Sequence, residues 1–324
     1  MKSKVVYIVV GWNNKDLLKE CFESIENQTH KNTITYYVDN NSADNSVEFV
    51  KENFPKVVIL AQDENTGFAK GNNIAIRQAI KDDEVGFIAL INSDARIDPQ
   101  WTARIVEFAS KKPKGAIYQG LTLDYYNHTI IDSTHIYISH NGQGTQGNWR
   151  HYVTKEMGPK KVFGVNAAAC LISVDFIKTQ PFDTYFDETL FMYLEDVDVA
   201  TRATVMGWDN YLVPGAAAYH MGSASSNKSP GFSLYMTFRN NSSVLYKNLP
   251  NKMLMRMLPM IIRGDIDTIR ELRRRKQKGG IGKVVKGRLF GLLRVPLFRN
   301  KKKIMSSVSD IDYDYLWTLM KKGY

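Results

Sequence analysis

Four short apolar segments alternate with helical patterns over the first hundred residues, and this alternation restricts the fold more than any other feature. The apolar segments are residues 5–10, 34–38, 57–60 and 87–91. Apolar residues recur at helical spacing over residues 15–28, 42–53 and 67–80, and the Asp98-Pro99 pair opens a further predicted helix. Strands that alternate with helices form right-handed βαβ units. The sequence therefore predicts an α/β fold with a mainly parallel sheet flanked by helices.

The later part of the chain has weaker patterns. Between residues 115 and 164, a turn at residues 141–144 and many aromatic side chains predict hairpins over the sheet or a mobile loop. A helix is predicted over residues 185–206. After residue 246 the composition shifts to Met, Leu and Arg. We therefore predict a main domain over residues 1–246 and a basic, helical C-terminal region over residues 247–324.

The positive charge of the chain is concentrated in that C-terminal region. The net charge is +10, yet residues 247–303 alone contain 18 Lys and Arg against three acidic residues. A helix is predicted over residues 265–278, ended by Gly279 and Gly280. It is followed by an apolar stripe that Arg288 interrupts, made of Ile281, Val284, Val285, Leu289, Leu292 and Leu293. Basic amphipathic helices favour anionic membrane surfaces, and a helical subdomain packed on the main domain is the alternative.

Cysteine usage and hydropathy indicate where the protein works. Cys21 and Cys170 have no CxxC partner, so a reduced setting and a buried apolar role are expected for both. No secretory signal is recognisable, and no apolar run approaches the ~18 residues that span a bilayer. We expect a cytoplasmic protein, peripheral on the inner face of the cell membrane.

Carboxylates follow two of the predicted strands. Asp39 follows residues 34–38, and Asp94 closes Asn92-Ser93-Asp94 after residues 87–91. The carboxyl ends of parallel strands share one edge of a sheet, where ligands gather. Asp94 at this edge suits a divalent cation that holds phosphates, and Asp39 suits a base or ribose. Roles in an Asx turn or a helix cap are the alternatives for these two residues.

Three other segments carry candidate site residues. Residues 67–73 place small residues and donors at a helix start, which suits an anionic ligand, although they match neither GxGxxG nor Walker A. Glu195 and Asp196 are adjacent carboxylates in apolar surroundings, where repulsion raises one pKa as a general base requires. Asp198 and Arg202, at i,i+4, are expected to form a structural pair. His220 is a candidate metal ligand, but a lone histidine is more often structural.

Taken together, these residues resemble family 2 glycosyltransferases of the GT-A fold, especially bacterial rhamnosyltransferase-like members. The matching segments are residues 10–13, 38–44, 64–73, 90–95 and 193–198, and the resemblance covers about residues 4–246. It implies an inverting transfer of a sugar from a nucleotide diphosphate with Mn²⁺ or Mg²⁺ as cofactor. It also implies that Asp94 and His220 bind the metal and that Asp196, beside Glu195, is the catalytic base.

The nucleotide-binding residues predicted on this basis come from four short segments. They are Gly11, Asn13, Asp39, Asn41, Asn65, Gly67, Phe68, Gly71, Asn72, Asn73, Asn92 and Ser93. Two positions depart from the family pattern. Asn92 begins the DXD-type motif in place of a carboxylate, and Gly11 stands where Ser or Thr often occurs.

The substrates are predicted from the resemblance alone. The leading donor is dTDP-rhamnose, with UDP-linked galactofuranose, glucose or N-acetylhexosamine as alternatives, and the acceptor is a glycan or lipid-linked glycan in surface polysaccharide synthesis. A nucleotidyltransferase would need a glycine-rich, Arg-containing loop after the first strand, which residues 10–14 lack. Nucleic-acid binding is disfavoured because the basic residues are confined to the tail. The sequence does not determine the oligomeric state.

Overall fold

A mixed sheet at the centre of the molecule organises the fold. The computed structural model describes residues 3–153, 157–222 and 231–321. Within these ranges the strands are β1 (Lys4–Gly11), β2 (Thr33–Asp39), β3 (Val58–Ala61), β4 (Val85–Ile91), β5 (Ala95–Ile97), β6 (Gly115–Asp124), β7 (Ile131–Ser133), β8 (Ile136–Ile138), β9 (Gly144–Gln146), β10 (Lys160–Val162), β11 (Ala169–Ser173) and β12 (Asp209–His220).

The strand order places the parallel strands β1 and β4 side by side, so their carboxyl ends lie at the same edge of the sheet. The order is β10-β12-β6-β11-β4-β1-β2-β3, with β5 paired to β12 and β7 paired to β6. Strands β1 to β4 are parallel to one another, and β6 is parallel to β12, whereas β11 runs antiparallel between β4 and β6. The predicted α/β sheet is confirmed. The separate β8–β9 hairpin, with its turn at residues 139–143, confirms the hairpin predicted in this part of the chain.

Helices cover both faces of the sheet and continue into the C-terminal region. They are α1 (Lys15–Glu26), α2 (Ser46–Asn53), α3 (Gly67–Ala79), α4 (Trp101–Ala109), α5 (Val174–Lys178), α6 (Glu195–Val205), α7 (Phe232–Asn248), α8 (Asn251–Arg274), α9 (Lys278–Arg294), α10 (Arg299–Val308) and α11 (Tyr313–Lys321). The apolar side chains of β1 alternate between two buried clusters, one on each face. Cys21 and Cys170 are free thiols buried in these clusters, as predicted.

Three of the predicted helices have different bounds in the structure. The helix predicted over residues 185–206 starts only at Glu195, because Phe191, Tyr193 and Leu194 adopt positive φ angles that interrupt it. The helix predicted from residue 42 starts at Ser46, since the preceding residues form a loop. In the tail, the helix predicted over residues 265–278 starts at Asn251 and ends at Arg274, as the backbone turns left-handed at Lys276. Residues 279 and 280, predicted to stop a helix, lie in the first turn of α9.

Two glycines bring α9 against the backbone of α7. A Cβ atom at Gly287 would lie 2.6 Å from the carbonyl oxygen of Tyr235, and one at Gly291 would lie 2.5 Å from that of Arg239. Arg288, between them, donates hydrogen bonds to the carboxylate of Asp265 at 2.7 and 2.8 Å. The residue that interrupts the apolar stripe in the sequence therefore packs on the protein. Among the described helices, none combines the length and apolar character that a membrane-spanning segment requires.

A buried ionic network joins the C-terminal helices to α6. Lys247 Nζ lies 2.8 Å from Asp187 Oδ2 and 2.9 Å from the carboxylate of Asp198. Asp198 also pairs with Arg202 at 3.2 Å, which confirms the predicted i,i+4 pair, and Lys301 of α10 reaches Asp187 at 2.8 Å. Burial raises the pKa of Asp187, but the two lysines outweigh it and hold that pKa well below its usual value. The network fastens α7 and α10 to the helix that carries Glu195 and Asp196.

Candidate active site

A cavity of about 710 Å³ opens at the carboxyl ends of β1 and β4. This is the edge at which the strand order predicted a ligand site. Nine of the predicted site residues line this cavity: Gly11, Asn65, Phe68, Asn92, Ser93, Asp94, Glu195, Asp196 and His220. The structure thus brings both metal candidates and both acids into one space. Asn13, Asp39, Asn41, Gly67, Gly71, Asn72 and Asn73 are not among its lining residues.

Asp94 and His220 meet because two strand ends are paired. After β4 the chain continues into β5, which pairs antiparallel with β12 so that Ala95 lies opposite His220. His220 Nε2 lies 3.3 Å from Asp94 Oδ1, and Nδ1 lies 2.9 Å from Asp132 Oδ2. Burial lowers the pKa of the imidazole, but the hydrogen bonds to Asp132 and Asp94 outweigh it and raise the pKa to about 10. The protonated ring therefore places one positive charge between the two carboxylates near neutral pH.

These two side chains fit a divalent cation that is shared with a substrate. Asp132 holds Nδ1 of the His220 ring, so Nε2 faces Asp94 and the cavity, and such an outer carboxylate commonly orients a ligating histidine. Within residues 3–153, 157–222 and 231–321, no group of three or more His, Cys, Asp or Glu side chains is arranged to hold a metal. A cation bound here would complete its shell with phosphate oxygens and water. Binding would displace the imidazole proton.

Asp39 organises the loop after β2 and does not line the cavity. Its Oδ1 accepts a hydrogen bond from the Tyr37 hydroxyl at 3.0 Å, and Oδ2 accepts one from the backbone N–H of Ser42 at 2.9 Å. Asn13 Oδ1 accepts the N–H of Ala43 at 2.7 Å in the same loop. Asn41, at φ 61°, is exposed there. Contact of Asp39, Asn13 and Asn41 with a nucleotide remains a prediction.

Gly11 has a steric reason to replace Ser or Thr at the end of β1. A Cβ atom at this position would lie 2.6 Å from the Tyr37 hydroxyl oxygen and 2.7 Å from Asn14 Oδ1. The Tyr37 hydroxyl is in turn the donor to Asp39. The next residue, Trp12, lines the cavity with 44% of its surface exposed. The absent side chain therefore leaves room for the tyrosine that orders Asp39.

The start of α3 packs against the segment that leads to the two acids. Gly67 has a φ of +76°, and a Cβ there would lie 2.5 Å from a ring carbon of Phe191. The backbone N–H of Ala69 donates to the Phe191 carbonyl at 3.1 Å. Gly71 is equally restricted, because its Cβ would lie 2.9 Å from Val10. Both glycines permit close approach of α3 to its neighbours.

The two asparagines of α3 have protein partners. Asn73 donates to the Phe186 carbonyl and accepts from the Phe186 N–H, both at 2.9 Å. Asn72 donates to the Phe68 carbonyl at 2.9 Å. Both are buried. Of the α3 residues predicted to bind a nucleotide, only Phe68 lines the cavity. Asn73 joins α3 to Phe186, whereas the bond of Asn72 lies within α3.

Glu195 and Asp196 begin α6, where the unpaired N–H groups of a helix favour negative charge. Asp196 Oδ1 accepts the N–H of Val197 at 2.7 Å. Burial raises the pKa of Asp196, and hydrogen bonds from Val197 and Ala167 oppose it, giving about 6. Burial and the neighbouring Asp196 charge raise the pKa of Glu195 to about 8. At neutral pH Asp196 is thus largely ionised, whereas Glu195 is largely protonated.

The backbone before these acids is strained. The φ angles are 65° at Phe191, 72° at Tyr193 and 67° at Leu194. Left-handed backbone costs a non-glycine residue about 1–2 kcal/mol, and such residues persist only where the surroundings hold them. Glu195 Oε2, which follows directly, is buried without a hydrogen-bond partner in the part of the chain that the structure describes. Strain and an unpaired polar atom therefore coincide at the acids.

The sequence did not identify Asp132, the partner of the His220 ring, or three residues that line the cavity. Asp132 lies in the three-residue strand β7, and no motif marks it. Gln143, Gln146 and Trp149 line the cavity from the segment of the β8–β9 hairpin. Trp149 is 55% exposed. The aromatic-rich composition of this segment was the available signal, but it did not identify which side chains face the site.

Comparisons with known proteins identify the family. The glycosyl transferase family 2 model matches residues 7–178. A search of curated proteins found no significant relative. The solved structures that are similar in fold include the three that follow. The chain aligns with S. aureus TarS 1-349 at TM-score 0.57 and 16% identity, covering 99% of this chain and 92% of that chain.

Two further structures are similar at the same level. GalNAc-T7, crystallised with UDP, GalNAc and Mn²⁺, aligns at TM-score 0.57 and 14% identity over 75% of this chain and 47% of that chain. The mannosyltransferase PcManGT from Pyrobaculum calidifontis, in complex with GDP-Man and Mn²⁺, aligns at TM-score 0.54 and 14% identity over 100% of this chain and 87% of that chain. At such identities the likeness supports the GT-A fold alone. Because the family model matches more than half of its residues, this chain belongs to glycosyl transferase family 2.

Proposed function

We propose that this protein transfers a sugar, with inversion, from a nucleotide diphosphate sugar to a hydroxyl group of a glycan or lipid-linked glycan. The observation that carries the proposal is that Asp94 and His220 line the same cavity as Asp196. The first pair fits the phosphate side of a donor, and the acid fits the acceptor side. The anomeric carbon would lie between them.

Asp196 acts as the general base in this proposal. Its carboxylate accepts the proton of the acceptor hydroxyl while that oxygen forms a bond to the anomeric carbon, and the bond from that carbon to the diphosphate breaks. A pKa of about 6 leaves Asp196 ionised at neutral pH, as a base must be. Glu195, with its pKa raised to about 8, stays protonated and adds no second negative charge.

Asp94 and His220 would hold Mn²⁺ or Mg²⁺, which neutralises the charge on the departing diphosphate. The orientation of His220 by Asp132 supports this assignment. Two of the similar structures, GalNAc-T7 and PcManGT, contain Mn²⁺. The predicted nucleotide-binding residues that line the cavity, among them Gly11, Asn65 and Asn92, would contact the remainder of the donor.

The leading donor is dTDP-rhamnose, on the basis of the rhamnosyltransferase-like motifs, and UDP-sugars are the alternative. The similar structures contain UDP or GDP-Man, so their ligands do not favour the thymidine nucleotide. A thermal-shift screen of nucleotide sugars with and without Mn²⁺ selects among these donors. The acceptor would bind against Trp149, whose exposed ring and neighbouring Gln143 and Gln146 suit a saccharide.

The C-terminal region would hold the enzyme on the inner, anionic face of the cell membrane. Large apolar side chains are exposed on α8 and α9: Met255, Leu258, Ile262, Ile266, Val285, Leu289, Leu292 and Leu293. Basic residues of the same helices would meet lipid phosphates. Binding to vesicles containing anionic lipid, with no retention on DNA at matched salt, is the expected result. Retention on DNA alone would contradict it.

Substitution of the base tests the catalytic proposal. Asp196→Asn is expected to lower transfer by about 10²–10⁴-fold, because it removes the proton acceptor. Donor affinity measured by calorimetry should stay close to wild type. Asp183→Asn, at an exposed carboxylate, is the matched control. Near-wild-type transfer by Asp196→Asn would refute the assignment, and release of pyrophosphate instead of nucleoside diphosphate would indicate a nucleotidyltransferase.

A further inference from the structure

The segment before the catalytic acids is held from outside by α7. Asn240 is completely buried, and its Nδ2 lies 2.9 Å from the carbonyl oxygens of Leu190 and Met192 and 2.8 Å from that of Tyr193. A primary amide has two N–H groups, so one of them is shared between two carbonyls. Arg239 Nε donates to Asn240 Oδ1 at 2.9 Å. This bond fixes the amide with its nitrogen toward the segment.

The carbonyls held by Asn240 belong to the strained residues themselves or to their neighbours. Met192 and Tyr193 precede Leu194, whose left-handed backbone leads directly into α6. Without the Asn240 amide, the carbonyls of Met192 and Tyr193 would lose these two hydrogen bonds, and the φ angles could relax to ordinary negative values. Such a change would rotate the first turn of α6, which begins with Glu195 and Asp196.

Other contacts keep the same segment folded. The Phe191 carbonyl accepts the N–H of Ala69 at 3.1 Å. The Leu190 carbonyl also accepts from Arg239 Nη2 at 2.7 Å, and the Thr189 carbonyl accepts from Arg294 at 2.8 Å. These bonds anchor the beginning of the segment. The carbonyls of Met192 and Tyr193, nearest the acids, are those for which Asn240 supplies the side-chain donor.

We propose that Asn240 is a positioning residue for transfer: its amide holds residues 190–194 in the strained backbone that directs Glu195 and Asp196 into the cavity. The proposal rests on the proposed role of Asp196 as the base. Asn240 itself is absent from the cavity wall and acts through the segment. Its loss should therefore reduce the rate of the chemical step and leave donor binding unchanged.

Asn240→Ala and Asn240→Leu, which removes the donors and keeps a side chain of similar size without adding a charge, test the proposal. Asn210→Ala is the matched control, because Asn210 is also buried and donates to one backbone carbonyl, that of Phe163 at 2.7 Å, away from the cavity. Both Asn240 variants are expected to lower kcat by about 10–100-fold, as a misplaced catalytic group does. The KM for the donor should stay within about twofold of wild type, because Asn240 does not contact the donor and its loss does not change donor binding in the ground state.

Amide hydrogen exchange over residues 189–197 provides a readout that does not depend on the reaction. Exchange there should be faster in the Asn240 variants than in wild type and unchanged in Asn210→Ala. Unchanged exchange, equal loss of kcat in the Asn210 control, or a raised KM with normal kcat would overturn the proposal. If Asn240→Ala fails to fold, the same outcomes are judged on Asn240→Leu. If the wild-type protein transfers no sugar, the proposed function is refuted. Faster exchange in the Asn240 variants would then still support the structural role of Asn240.

Discussion

Substitution of Lys247 tests how α7 and α10 stabilise the part of the protein that carries Glu195 and Asp196. Its side chain is buried, and its ammonium group lies between Asp187 and Asp198 at 2.8 and 2.9 Å. Lys247→Met keeps an unbranched side chain of similar length and removes only the charge and the donors. Two buried carboxylates would then lose a shared cation.

The expected loss in the free energy of unfolding depends on which cations remain beside each carboxylate. Removing one partner of a buried ion pair costs about 3–5 kcal/mol, because the other charge stays buried and uncompensated. Asp187 keeps Lys301 at 2.8 Å, and Asp198 keeps Arg202 at 3.2 Å. Because neither carboxylate is left without a cation, we expect the lower end, a loss of about 3 kcal/mol in the free energy of unfolding. With an m-value of about 3 kcal/mol/M in urea, the midpoint falls by about 1 M.

Urea denaturation followed by circular dichroism measures this change. Lys161→Met is the control, because Lys161 pairs with Asp209 at the same 2.8 Å but is 63% exposed. An exposed pair contributes less than about 1 kcal/mol. If Lys247→Met were no more destabilising than Lys161→Met, the buried network would not fasten these helices and the reasoning would fail.

The same network makes the free energy of unfolding depend on pH in the acid range. The pKa of Asp187 lies below its ordinary value of 3.8, so the folded protein binds fewer protons there than the unfolded chain as the pH falls through that value. The stabilisation is fully present above the unfolded pKa and is lost toward the lower, folded pKa. In Lys247→Met the free energy of unfolding should decrease less as the pH falls through this range, because Lys247 is a main cause of the lowered pKa of Asp187.

The remaining predictions concern the site. Because the pKa of Asp196 is about 6, kcat/KM should rise about tenfold between about pH 5 and pH 7, and a flat profile would contradict its role. Gly11→Ser should lower the free energy of unfolding by about 1–3 kcal/mol, since its Cβ would lie 2.6 Å from the Tyr37 hydroxyl oxygen; an unchanged Tm would refute this. Asp132→Asn should weaken Mn²⁺ affinity about 10–100-fold by releasing the His220 ring, measured by calorimetry; equal affinity would show that Asp132 does not orient the ring.

The sequence predicts the first half of the fold well because its signals are local. Buried parallel strands such as β1 and β4 are continuous apolar runs, and α1 repeats its apolar residues at helical spacing. The error over residues 185–194 has a distant cause. Tyr193 and Leu194 are ordinary residues without a glycine signal, yet they take positive φ angles where the carbonyls of Met192 and Tyr193 are bound by Asn240 of α7. Periodicity cannot report a donor supplied by another helix.

The sequence predicts the part of the site that stands in recognisable motifs. Asp94, Glu195 and Asp196 stand in recognisable motifs, and the structure places all three at one cavity. Asp132 is separated from His220 by 88 residues and belongs to no motif, so only the pairing of β7 and β12 with β6 brings them together. Asn72 and Asn73 lie inside a motif, but Asn72 donates within α3 and Asn73 joins α3 to Phe186.

The ionic network also limits how this enzyme can be recombined with its relatives. A hybrid joined at residue 246 would take Lys247, Asn248 and Lys301 from the incoming segment, while Asp187 and Asp198 stay with the recipient. A grafted tail must therefore supply two cations and one amide at matching places, whatever acceptor or surface it was selected for. Tails chosen only for their substrate preference would leave Asp187 without either lysine and Asp198 with Arg202 alone.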